Sequence, residues 1–216
     1  ILHKNDMLHE PIINSYSNFI KSVFASEFSF IPLWPDNKKA ALALSHDVDY
    51  PEIIRPIELL KYFLTYKFKS KLKTVLNILN GKDHFWQFEN FMKLEKKYNA
   101  RSAFYFCSFK GNVPRFILTA PDPFYDIKKP KYLKIAKHLQ EEGFEVGFHS
   151  SYLTSNSKER FESELKDLKD IFKLTEVGHR HHYWHTNPDD PSVSCEIHQE
   201  VGLAYDTSIM FGAHSG

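Results

Sequence analysis

Residues 40–49 read AALALSHDVD, a run of small apolar residues that ends in two carboxylates. The breaker Pro35 and the charges of Lys38 and Lys39 bound it upstream, so a strand is predicted over 40–45. A short apolar run followed by an amphipathic stretch then recurs along the chain. SAFYFC at 102–107, FEVGFH at 144–149 and VGHRHH at 177–182 read as strands, and 203–205 begins a fifth. Segments 57–80 and 84–98 carry apolar residues at helical spacing and are separated by Gly81. Further helices are predicted over 131–142, stopping at Gly143, over 158–174, capped by Ser155 or Ser157, and over 191–200, ending at Gly202. Pro114, Pro121, Pro123 and Pro130 mark a loop. This repetition predicts an α/β fold, a parallel sheet with helices outside it. Five strands suit an open sheet or an unfinished barrel, and in both the site lies at the C-terminal strand ends. Residues 1–39 lack the repeat and read as an N-terminal extension to a domain over 40–216, with a helical insertion at about 57–99.

Composition narrows the function. A net charge of +1 gives no electrostatic footprint for nucleic acid, so none is expected as a partner. Cys107 and Cys195 lie far apart, which argues against a disulfide framework or a thiolate zinc site; Cys107 reads as a buried thiol. No signal peptide or long apolar span is visible, so a cytoplasmic chain without membrane association is expected. The basic residues among the aromatics of 57–80 read as one face of an ordinary amphipathic helix. The oligomeric state is not legible.

Residues with catalytic potential fall at three predicted strand ends. Alternation puts Ala43, Ser45, Asp47 and Asp49 on one face of the first strand. Likewise Glu145, Gly147 and His149 share a face of the third, and Gly178, Arg180 and His182 share a face of the fourth. Singly, a strand-end Asp is a turn residue and a lone His a packed or surface one. Three strands converging with Asp47, Asp49, His149, Arg180 and His182 are a different matter. Two carboxylates two residues apart repel in a closed pocket unless a cation or Arg180 relieves them. Carboxylate plus imidazole suits a divalent metal such as zinc, with one carboxylate left as general base.

At these residues the chain resembles the NodB-homology polysaccharide deacetylases, the family 4 carbohydrate esterases, from about residue 41 onward. Ser45-His46-Asp47-Val48-Asp49 is similar to an Asp-x-Asp version of the first motif, Glu145–Ser150 to the second, and Arg180–Trp184 to the third. Ala103–Phe106 looks like the family's aromatic second strand, and Tyr205-Asp206-Thr207-Ser208 like the start of the fourth motif. The resemblance implies an incomplete or distorted (β/α) barrel of the NodB-homology type. It implies Asp47 as base, Arg180 as the residue orienting it, and Asp49 and His149 as metal ligands. The second motif's further histidine is replaced by Leu153, and His182 stands where the third motif has proline. His182 is therefore expected as third ligand. The fifth motif, with its general-acid histidine, is expected beyond Gly216, which would leave the C-terminal part of the catalytic domain outside this sequence.

The implied activity is zinc-dependent removal of acetyl groups from an N- or O-acetylated carbohydrate, with Tyr152, Tyr183, Trp184 and Asp206 as substrate contacts. Two other readings stand beside it. One is hydrolysis of a non-sugar amide on the same barrel. The other is a catalytically degenerate barrel that binds carbohydrate, motivated by Leu153; the retained Asp47–Arg180 pair speaks against it, since binding alone needs no base.

Overall fold

The computed structural model describes residues 12–32, 34–52, 76, 80, 85–112, 122–187 and 189–209, and the helix expected over 57–80 lies almost wholly outside them. Two compact units divide the chain, one of Ile1–Ala43 with Ile209–Gly216 and one of Leu44–Ser208. The first contains helix α1 (Ile12–Phe24), which has no buried residue. The second holds a five-stranded parallel sheet: β1 (Leu44–Val48), β2 (Ser102–Phe106), β3 (Glu145–Ser150), β4 (Gly178–His181) and β5 (Tyr205–Asp206). Their spatial order is their chain order, in one open sheet. With no reversal in that order, right-handed crossovers put every connecting helix on the same face.

That face carries the core. Phe104, Phe106, Val146 and Phe148 point to it and are nearly inaccessible. They meet helices α2 (Phe88–Lys97), α3 (Pro130–Glu141) and α4 (Lys158–Phe172). Phe88 stacks on Phe106 at 5.7 Å between ring centroids, and Phe148 meets Phe161 edge-on at 5.2 Å. Each such ring contributes roughly 1.5–3 kcal/mol by leaving water. His46 belongs here too: it lies between Phe91 and Phe104, and its Nε2 contacts Glu95 Oε1 at 2.6 Å. Cys107 is buried, and burial pushes its thiol well above the ordinary range. Ser157 caps α4 through the amide of Arg160, and Asp190 caps α5 (Pro191–Glu200) through that of Ser192.

The opposite face includes small residues and two tyrosines. A Cβ on Gly147 would strike the Tyr105 ring, and one on Gly178 would strike the Tyr205 ring. Only glycine lets these rings lie across the neighbouring strands. Tyr105 Oη meets Tyr205 Oη at 3.2 Å, and Tyr205 donates to Glu145 Oε1 at 2.6 Å.

Several element boundaries differ from the sequence expectation. The first strand begins at Leu44 rather than at 40, where Leu44 pairs with Ser102, the first residue of β2. Leu42 is accordingly 81% exposed. The fourth strand ends at His181, where the chain enters a 3₁₀ turn over His182–Trp184. Helix α2 begins at Phe88 rather than 84, and the fifth strand is Tyr205–Asp206 rather than 203–205.

Candidate metal centre

Parallel strands deliver their C-terminal residues to one rim. Asp49 follows β1 directly, His149 is the fifth residue of β3, and His182 is the first residue beyond β4. Asp49 Oδ1 lies 3.2 Å from His149 Nε2 and 3.5 Å from His182 Nε2. His149 and His182 have side chains 1% and 3% exposed. These three residues form a group whose ligand atoms all lie within 4.8 Å of one another.

The protons decide what this group is. His149 Nδ1 sits 2.8 Å from the carbonyl of Arg180, which can only accept, so Nδ1 carries a hydrogen and, in the neutral ring, Nε2 carries a lone pair. That lone pair faces a carboxylate oxygen. Both His149 Nε2 and Asp49 Oδ1 are buried and make no hydrogen bond. Two acceptors held together in this way call for a cation between them. With zinc bonds of 2.0–2.2 Å, tetrahedral ligand atoms lie roughly 3.3 Å apart, close to the 3.2 and 3.5 Å from Asp49 Oδ1 to the two imidazoles. Burial works against the Asp49 carboxylate, while His149 and His182, in their doubly protonated forms, hold its pKa below the ordinary value. The residues fit a divalent metal.

A buried acid from the proline-rich loop completes the arrangement, and the sequence reading missed it. Asp122 is 1% exposed, lies between Pro121 and Pro123, and accepts at Oδ1 from the Tyr152 amide at 2.7 Å. The same oxygen lies 3.4 Å from His182 Nδ1. A carboxylate behind the far nitrogen of a histidine fixes the tautomer, here freeing Nε2 to face Asp49. The loop itself is pinned by the Gly111 amide, which donates to Pro123 O at 2.7 Å, and by Tyr125 Oη, which accepts from the Cys107 amide at 2.7 Å. Glu164 holds the neighbouring turn by accepting from Ser151 N and Oγ, and burial pushes its carboxyl up to about 7.

Asp47 lies beside this group. Arg180 Nη1 donates to Asp47 Oδ1 at 2.8 Å, Nη2 to Ser45 Oγ at 2.9 Å and Nε to Thr207 Oγ1 at 3.1 Å. Its guanidinium rests 4.8 Å above the Tyr105 ring. Three hydrogen bonds and a stacked face leave it one geometry. Asp47 and Asp49 both open into a cleft of about 100 Å³ that Tyr50, Phe85, Phe88 and Phe91 also line.

Of the expected substrate contacts, Tyr183 packs against His182 and Tyr152, and Trp184 ends the turn that begins at His182. Tyr152 stacks on His185 at 3.9 Å, while Tyr183 and Trp184 remain 51% and 43% exposed. Burial and the carboxylates of Asp49 and Asp122 push the Tyr183 phenol up, so it stays a donor. Both rim aromatics have left-handed backbone, with φ of 57° and 51°. Asp206 is not brought to this group. It pairs with His179 on the other face of β4, Oδ2 to Nδ1 at 2.6 Å. Leu153 is 39% exposed and adds no ligand atom.

No family model matches the chain, and no curated protein does. Among solved structures the chain is similar to a mutant of a CE4-family pseudoenzyme with restored enzymatic activity, at 13% identity and a TM-score of 0.38. The alignment spans 56% of this chain and 39% of that one. What the centre can do follows from its own geometry. Among the described residues no helix is long and apolar enough to cross a membrane.

Proposed function

We propose that this chain is a metal-dependent hydrolase of the polysaccharide-deacetylase type, a distorted barrel that removes acetyl groups from an N- or O-acetylated carbohydrate. One observation carries the reading: the buried Asp49 Oδ1 and His149 Nε2 face each other at 3.2 Å, neither with a hydrogen-bond partner, and His182 Nε2 lies 3.5 Å from the same carboxylate oxygen. Asp49, His149 and His182 would hold the ion, and one carboxylate with two imidazoles favours zinc. A bound divalent cation would supply Lewis acidity toward a carbonyl oxygen and toward water.

The remaining steps belong to the side chains. Arg180 holds Asp47 at Oδ1, and Oδ2 is the atom assigned to take a proton from the attacking water. Ser45 and Thr207 keep the guanidinium from following a substrate carbonyl away from Asp47. Tyr183 and Trp184, both exposed, would meet the apolar faces of a sugar ring. Products are acetate and a free amine or hydroxyl.

Zinc content and acetate release from chitooligosaccharides and acetylated xylan test this together. Asp47→Asn is expected to retain zinc and to lose about 100- to 10,000-fold in rate. A zinc-loaded chain that releases no acetate from either substrate sinks the carbohydrate assignment; a chain that binds no zinc sinks the centre.

A further inference from the structure

Behind β4, on the face away from Arg180, lies a second group of imidazoles. His179 and His181 project from β4 and His198 from α5; they are 0%, 1% and 7% exposed. One ring nitrogen of each lies within 4.8 Å of the other two. Nothing in the deacetylase reading uses them.

Their outer nitrogens share a pattern. His179 Nδ1 lies 2.6 Å from Asp206 Oδ2, His198 Nδ1 lies 3.7 Å from the same oxygen, and His181 Nδ1 lies 2.8 Å from Ser150 Oγ. Each Nδ1 thus has an oxygen beside it, and one carboxylate serves two rings. Asp206 is itself anchored by the Ser208 amide and hydroxyl, both at 2.8 Å. Oxygen partners on the far nitrogen are what orient metal-binding histidines and select the Nε2 lone pair for the ion. The inner nitrogens answer to this: His181 Nε2 and His198 Nε2 approach to 3.0 Å, close to the roughly 3.3 Å between ligands of a tetrahedral zinc. His179 Nε2 meets Ser150 Oγ at 2.9 Å and must leave that contact to turn inward.

We propose that His179, His181 and His198 form a second divalent transition-metal site, with three Nε2 ligands, Asp206 and Ser150 as the orienting partners, and one position left for water or an anion. Zinc and its neighbours in the first row suit a set of three imidazoles. The site would clamp β4 and β5 to α5, and so hold the residues flanking Arg180.

Counting ions tests it. The metal-free chain is loaded with Zn²⁺, dialysed and analysed by elemental mass spectrometry, with circular dichroism confirming the fold of each variant. Wild type is expected to hold two ions, His198→Gln one, and Asp49→Asn/His149→Gln one. Loading the latter variant with Co²⁺ should give the visible bands of a tetrahedral imidazole site. If His198→Gln fails to fold, the Asp49→Asn/His149→Gln variant still decides, because any ion it holds must lie elsewhere. Loss of all metal in that variant overturns the proposal. One ion in wild type that survives Asp49→Asn/His149→Gln supports this site and removes the first centre instead.

Discussion

Replacing Asp122 by Asn keeps the size and the Oδ1 acceptor of a side chain that touches no expected substrate. Oδ1 can still accept from Tyr152 N at 2.7 Å, so the loop should stay in place. What changes is the charge behind His182 Nδ1, 3.4 Å away, which selects the Nε2 tautomer and raises its basicity. Loss of such a partner weakens metal binding about 10- to 100-fold, and because Asn preserves the geometry the low end is expected: about tenfold, or about 1.4 kcal/mol. Asp122→Ala additionally strands the buried Tyr152 amide, which costs about 1–3 kcal/mol of stability. The assay is competition for zinc against a chromophoric chelator, paired with urea unfolding of the metal-free protein. The signature is affinity loss without stability loss for Asn, and both losses for Ala. Zinc affinity unchanged within about twofold in a folded Asp122→Asn protein would refute the role given to Asp122.

Arg180→Lys keeps the charge but not the three-way fork, so zinc content should persist while acetate release falls at least about tenfold, read as kcat at saturating substrate. Glu164 should impose a pH dependence of its own: its carboxyl sits at about 7 when folded against 4.5 as the ordinary value. Its stabilising contribution is complete below about pH 4.5 and is lost as pH rises through about 7, worth on the order of 3 kcal/mol. Urea midpoints of wild type should therefore fall across that window more steeply than those of Glu164→Gln; parallel curves would rule Glu164 out. Gly178→Ala drives a methyl into the Tyr205 ring and should destabilise by about 1–3 kcal/mol, with relief in the Tyr205→Ala background as the check.

Much of the front of the sheet was legible because a strand's side chains alternate with an invariant period. That rule put Asp47, Asp49, His149 and Arg180 on one side, and in the structure Arg180 meets Asp47 while His149 meets Asp49. His182 reached the group by a different route from the one expected: the strand stops at His181, and the following turn swings the ring toward Asp49. Asp122 was hidden because its partners lie 30 and 60 residues away, and a proline-rich loop has no periodicity to place it. The Pro-Asp-Pro sequence, with φ fixed on both sides, was the available signal. The imidazoles behind β4 were overlooked because two of them, His179 and His181, lie on the strand face away from Arg180 and the third, His198, comes from a helix.

Tyr183 and Trp184 are large side chains in a backbone region that ordinary residues avoid at about 1–2 kcal/mol each. The corner they make is continuous with His182, so the chain cannot relax there without turning that imidazole. Glycine at either position should make the protein sturdier and the ion less firmly seated. The bend is thus a small debt of folding energy carried for the sake of a ring's direction, and selection for thermal robustness alone would erase it.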